Sequence, residues 1–539
     1  MNRRQFVAGA AGLLGSVTAL KAAEAVRPFS SVPARSRFRI KPFAWEEATI
    51  SQLQGAMQSG QETAASLARK YLIRIDEIDR QGPSVNSVLE VNPDALKIAA
   101  GLDRERREKG PRGPLHGIPV LLKDNIDTAD GMQTTAGSLA LLDSKPALDS
   151  FLAQRLREAG AVILGKTNLS EWANFRSSHA SSGWSGRGGQ TANPYALDRN
   201  PSGSSSGSAA AVSANFCAVA VGTETDGSII SPSTVCGIVG IKPTLGLISR
   251  AGVIPIAHSQ DTAGPMARTV TDAAILLGAL AGVDPRDPTT LDARGKIAAD
   301  YRQFLKADGL RGARVGIARK FFRPGSASDK IMEGALAALK DAGAILVDPA
   351  DLPSMGKFGE AESEVLHYEF KAALNVYLAA RTGGSMRTLG DLIEFNEKNR
   401  DREMPYFGQE IFLRAQAKGP LTDKTYLEAL EKSRRLSRAE GIDSIMDTHQ
   451  LDALVAPSGG PAGKTDLIYG DRGVGGSSSP AAMAGYPSIT VPAGHVLGLP
   501  VGISFFGRAF SEPVLLRLAF AFEQSTKARQ APRFLASIG

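Results

Sequence analysis

Apolar residues recur at three- and four-residue spacing along 48–57, 63–80, 149–159, 208–215, 271–280, 329–342, 426–447 and 512–526, and each stretch is predicted to form an amphipathic helix. Short apolar runs lie between them, at 120–122, 162–164, 218–221, 314–317, 345–347, 453–456, 488–491 and 501–506. These read as buried strands. Helices alternating with short buried strands predict an α/β fold with a sheet covered on both sides. The mixed-charge run 103–109 fits a solvated helix face. No internal repeat is visible, and the Gly/Ser-rich segments 181–189 and 473–479 read as loops lining a site rather than as linkers.

One of the strand-like runs ends on a lysine. Gly117-Ile118-Pro119-Val120-Leu121-Leu122 delivers Lys123 to the end of an apolar strand, followed by Asp124 and Asn125. Two readings stay open from the residues alone: a lysine that snorkels to solvent, or one whose amine is delivered into the interior and works as a base. The second requires a lowered pKa, because at an ordinary value near 10.4 only about one lysine in 2500 is neutral at pH 7.

Two serine-bearing segments supply what such a base would act on. The first is Gly203-Ser204-Ser205-Ser206-Gly207-Ser208, and the second is Gly222-Thr223-Glu224-Thr225-Asp226-Gly227-Ser228-Ile229. A serine hydroxyl is a weak nucleophile until a base takes its proton. One lysine, a serine cluster and a second serine among small residues therefore make a set suited to acyl transfer without histidine.

Rival motifs fit less well. Residues 203–207 satisfy G-x-S-x-G, but that elbow must follow a strand and 196–202 reads as a loop. Ser354-Met355-Gly356-Lys357 matches S-x-x-K, yet Pro353 and Gly356 oppose a helix there and no K-T-G follows. His116, His179, His258, His367, His449 and His495 are scattered, without metal-ligand spacing, so no metal or cofactor is expected.

These three segments resemble the amidase signature family, and within it the chain is most similar to peptide amidases. Gly165-Lys166-Thr167-Asn168-Leu169-Ser170-Glu171, Asn193-Pro194-Tyr195 and Leu499-Pro500-Val501-Gly502-Ile503 add to the likeness, as do Glu171-Trp172-Ala173-Asn174-Phe175-Arg176 and Ser182-Gly183-Trp184-Ser185. The likeness covers residues 45–532. It implies a single large α/β domain with a mixed central sheet between helices, and a triad of serine, cis-peptide serine and lysine. The nucleophile in similar enzymes lies 24 positions beyond the bridging serine, as Ser228 lies beyond Ser204. By resemblance Lys123 is the base, Ser204 the relay and Ser228 the nucleophile. Ser205 is a supporting residue, and the backbone of Thr225, Asp226, Gly227 and Ser228 forms the oxyanion hole.

The activity implied is hydrolysis of a carboxamide, of peptide C-terminal amides or small amides, through an acyl-enzyme. Alternatives on the same triad are an amidotransferase A-type subunit, an esterase or an aryl acylamidase. Much of the family shows G-T-D-x-G-G-S-I-R around its nucleophile, and this chain departs from that pattern at Glu224, Asp226 and Ile230. Other members pair an aspartate and an arginine at the first and third of these positions, so the double loss weakens the amidotransferase reading. Asp226 would repel an oxyanion unless its side chain points away. The stretch 366–419 shows the weakest likeness and is expected to shape the substrate entrance.

The N-terminus, Asn2-Arg3-Arg4-Gln5-Phe6 followed by an apolar run to Leu20 and Ala23-Glu24-Ala25, has the form of a cleavable twin-arginine signal. Residues 1–25 are expected to be that leader and 26–44 an extension, with the enzyme periplasmic or secreted. The apolar run is too short and too glycine-rich for a membrane anchor. Arg3, Arg4, Lys21 and Glu24 account for +2 of the formal +7, so the remainder is mildly basic. No basic patch interleaved with aromatics points to nucleic acid. Cys217 and Cys236 sit in apolar surroundings and read as buried thiols, although export would permit a bridge.

Overall fold

The computed structural model describes residues 40–473 and 475–538, so the leader 1–25 and the extension up to residue 39 lie outside the described residues. Eleven strands form one sheet: β1 Val88–Val91, β2 Pro119–Lys123, β3 Val162–Thr167, β4 Val219–Glu224, β5 Val239–Lys242, β6 Thr262–Ala267, β7 Arg314–Ile317, β8 Ile345–Val347, β9 Ala453–Gly459, β10 Ser488–Val496 and β11 Leu499–Phe506. Their order is β1-β3-β2-β4-β6-β5-β10-β11-β9-β7-β8. The sheet is mixed. β2 runs parallel to both β3 and β4, whereas β4–β6, β6–β5, β5–β10 and β10–β11 are antiparallel.

Successive strand residues point to opposite faces, and every residue of β2, β3, β4, β6 and β11 is buried. Both faces are therefore covered, as continuous apolar runs require. The predicted strands are all present within a few residues. Two central strands were not legible: β5 reads Val-Gly-Ile-Lys and β6 Thr-Ala-Gly-Pro-Met-Ala, neither of which alternates.

The predicted helix 63–80 is an α-helix over Ala64–Arg74 that widens into a π-helical turn at Ile75–Gln81. Similarly, 426–447 is divided into Lys424–Ser437 and Asp443–His449 by a π-turn around Gly441. Among the described residues no helix is long and apolar enough to cross a membrane.

The 366–419 segment belongs to a helical layer that begins with Gly359–Ala380. Phe370, Leu374 and Phe412 are buried against Trp172 in a second apolar cluster, with Trp172 and Phe412 packed edge to face. The stretch expected to shape the substrate entrance thus spends part of its apolar surface on that cluster; none of it lines the cleft bordered by Gly203, Asp226 and Gly227, whereas Ala372, Ala373, Val376 and Tyr377 line another cavity with Asp261.

Candidate active site

β2 carries Lys123 on its last residue into the interior, where its side chain is fully buried. Its Nζ lies 2.8 Å from Ser204 Oγ, 2.8 Å from Thr223 Oγ1 and 3.4 Å from the Thr223 carbonyl. A neutral amine has two hydrogens and one lone pair. The two Thr223 oxygens can take the hydrogens, leaving the lone pair for the Ser204 hydroxyl. Burial pushes the Lys123 pKa down to about 7, against the weaker opposing pull of the Glu224 and Asp261 carboxylates.

Ser204 stands in a loop that leads directly into the helix Ser206–Ser213, not after a strand, and the Gly203–Ser204 peptide is cis. Gly203 is required by crowding: a Cβ there would sit 2.2 Å from Ser170 Oγ. Ser205 directs its hydroxyl to backbone groups rather than to Lys123 or Ser204. Its hydroxyl donates to the Thr223 carbonyl at 2.9 Å and accepts from Thr223 N–H at 3.1 Å, while its own N–H donates to the Ser228 carbonyl at 3.1 Å. It therefore ties the serine loop to the β4 end and to the following turn.

That turn, Thr225 to Ser228, joins β4 to the short helix Ile230–Val235. Gly227 adopts φ +76°, a left-handed conformation costly for residues with a Cβ. Among the described residues, the N–H groups of Asp226, Gly227 and Ser228 have no backbone acceptor. Ser228 is 8% exposed and Ser204 is 0% exposed, so of the two only the former reaches solvent. Gly203, Asp226 and Gly227 line a cleft of about 840 Å³.

Several residues around this centre escaped sequence reading. Thr223 is fixed by Asn125, whose Nδ2 donates to its Oγ1 at 3.0 Å. Glu224 accepts from the N–H groups of Ile229 and Ile230 at 2.8 and 3.0 Å, holding the turn from behind. Its pKa is raised by burial and drawn back first by Lys242, a second buried amine at the end of β5. Burial lowers Lys242 to about 8. The Lys242 amine itself donates to the Pro243 carbonyl at 3.1 Å, so it acts on Glu224 through its field rather than through a direct bond. The only sequence signal was a lysine ending an apolar run, the same one that marked Lys123.

Lys166 is also buried, but its amine donates to the Ile126 carbonyl at 2.6 Å and to Thr134 Oγ1 at 2.7 Å, and it bonds neither serine. His116 is buried with Nε2 2.9 Å from the Leu102 carbonyl, a structural contact. Cys217 and Cys236 are buried and free, and burial pushes both thiols up.

The Gly/Ser-rich segments do line the cleft. Ser182 lies on one wall, and Gly473 and Ser478 on another. Asp471 joins the two by accepting from Ser182 N–H at 3.0 Å and Ser182 Oγ at 2.5 Å. Asn174 reaches the cleft through three consecutive left-handed residues, Trp172, Ala173 and Asn174, and its Nδ2 donates to Ser182 Oγ at 2.8 Å.

Residues 67–516 match the Amidase family model. A probable amidase of Arabidopsis thaliana is 44% identical over 516 residues, spanning 94% of this chain and 95% of its own length. The X-ray structure of native peptide amidase from Stenotrophomonas maltophilia is similar at a TM-score of 0.87 and 51% identity, covering 92% of this chain and 100% of that one. The A-type subunit of the glutamyl-tRNA(Gln) amidotransferase of Halorhodospira halophila is 34% identical over 493 residues, 89% of this chain and 97% of its own.

Proposed function

The chain belongs to the Amidase family and is an amide hydrolase close to the peptide amidases, and on that basis we propose that it cleaves primary carboxamides of peptide-like substrates by a lysine-driven serine relay. Neutral Lys123 takes the Ser204 proton, and Ser204 takes that of Ser228. Ser228 attacks the amide carbon to form an acyl-enzyme. The proton returns to the leaving nitrogen, ammonia departs, and water activated through the same relay releases the acid. The N–H groups of Asp226, Gly227 and Ser228, which meet no backbone acceptor among the described residues, receive the developing oxyanion.

The observation that carries this reading is the Lys123 amine, buried with no hydrogen-bonded carboxylate among the described residues, 2.8 Å from Ser204 Oγ. An amine so placed is a base rather than an ion-pair partner. The cleft supports a polar, peptide-like acyl group rather than a long aliphatic one, since Asn174, Ser182, Asn200 and Ser202 line it and, among the described residues, its apolar side chains are those of Val235 and Ala462. We also propose export by the twin-arginine route, which the residue pattern of the first 25 positions supports.

The test is ammonia release from peptide amides, amino-acid amides and glutamine, with release of the aniline or alcohol followed for anilides and esters, together with fluorophosphonate labelling. Peptide amides should be the best substrates, and Ser228→Ala should abolish both turnover and labelling. Labelling at another serine, or turnover by Ser228→Ala, would overturn the relay. Ammonia from glutamine alone would favour an amidotransferase-type subunit.

A further inference from the structure

Next to Ser228 the structure holds a pair of carboxyl groups that the relay does not use. Asp226 lines the cleft, and its Oδ2 accepts from Ser479 Oγ at 2.6 Å. Its Oδ1 is buried and meets no ordinary donor. What faces Asp226 is Glu362, near the start of the helix Gly359–Ala380, within hydrogen-bonding reach. Such contact favours the state in which Glu362 keeps its proton. Gln260 closes the arrangement: its Nε2 donates to Glu362 Oε1 at 3.0 Å and to the Thr225 carbonyl at 3.2 Å. Thr225, Gln260, Glu362 and Asp226 thus form a ring spanning the start of the 225–228 turn.

We propose that Glu362 is a positioning residue of the amidase reaction: as a neutral acid it donates its proton to Asp226 and, through Gln260, holds the 225–228 turn in its working geometry. The inference rests on the reading of that turn as nucleophile and oxyanion site. It also answers how Asp226 can stand beside a developing oxyanion, since its charge is taken up by the Glu362 and Ser479 hydroxyl groups. When Glu362 ionises, two carboxylates repel, the ring opens, and a second negative charge lies beside the reacting carbonyl. Burial and the Asp226 charge push Glu362 up to about 8.

Other charged groups nearby are engaged elsewhere. On the same helix Glu364 pairs with Lys418, Tyr368 bonds Asp423, Glu369 accepts from Tyr426 and faces His258, and the His367 ring contacts the Ser363 carbonyl. In the layers packed against it, Glu410 accepts from Ser177 and Arg438 donates to the Ala484 carbonyl. Asp261 accepts from Thr225 Oγ1. Behind Asp226 lie Glu224 and Lys242.

The test is kcat/KM on a peptide amide from pH 6 to pH 10 for the wild type, Glu362→Gln and Glu362→Ala. The wild type should rise through about pH 7 as Lys123 loses its proton, then fall about tenfold per pH unit above about 8. Glu362→Gln, whose amide donates to Asp226 at every pH, should stay within about threefold of wild type at neutral pH and lose the falling limb. Glu362→Ala should lower kcat about tenfold or more with KM little changed. A falling limb that persists in Glu362→Gln would assign it to another group, such as Lys242, and overturn the proposal. So would Glu362→Ala with wild-type kcat. Fluorophosphonate labelling of Ser228 in the wild type separates the two levels: a labelled Ser228 with a persistent limb sinks only the positioning role, whereas an unlabelled Ser228 sinks the reading of the turn.

Discussion

Replacing Lys123 by methionine should make the protein more stable while making it inert, and the gain should depend on pH. The folded pKa is about 7 against an ordinary 10.5. Because the folded value lies below the unfolded one, the penalty for burying the amine is full below pH 7, shrinks as pH rises, and is gone above pH 10.5. Linkage puts that penalty at about 4 kcal/mol at pH 7 and about 2 kcal/mol at pH 9. Methionine is apolar and of similar length, so it avoids the penalty but gives up the contacts with Ser204 and Thr223, about 1 kcal/mol each.

Lys123→Met should therefore be about 2 kcal/mol more stable than wild type at pH 7 and close to parity at pH 9. Urea denaturation midpoints of both proteins at the two pH values, with equal slopes, measure this directly. A variant less stable than wild type at pH 7, or a difference that does not change between pH 7 and pH 9, would show that the amine is charged and paired in the fold. The relay would then lack its base.

Ser204→Ala should retain the fold and lose about 10²- to 10⁴-fold in kcat, with KM little altered, in an ammonia-release assay. Gly227→Ala should cut kcat at least about tenfold, because a Cβ is strained at this φ and would sit 3.0 Å from Ser478 Oγ, shifting the N–H groups of the turn. Lys242→Met should raise Tm at pH 7, because burial holds the folded pKa at about 8, below the ordinary 10.5, so the charged amine is a net penalty there even with Glu224 nearby.

What the sequence displays of this architecture is what local pattern can carry. The strand leading to Lys123 is a continuous apolar run, and β2 indeed lies between two parallel strands. β5 and β6 hide because glycine and proline break their patterns, even though they lie mid-sheet. The helix Gly359–Ala380 hides because its buried positions include His367, Tyr368 and Glu369, which a reading by hydrophobicity assigns to the surface. Within the site, Lys123, Ser204 and Ser228 stand in recognisable motifs. Thr223 and Lys242 do not announce themselves, and Glu362 comes from a segment with little family likeness. Each acts on a partner distant in the chain, and only folding brings them together.

The knot that Ser205 makes has a consequence for how this enzyme meets its substrates. Because one residue grips both Thr223 and Ser228, the backbone that carries the proposed nucleophile is tied to the strand end that braces Lys123 before anything binds, and little of a substrate's binding energy is needed to order it. Chain length in the substrate should then govern how often the cleft is occupied rather than how fast an occupied cleft turns over. Even a very short amide, once seated, should meet a turn already fixed in place.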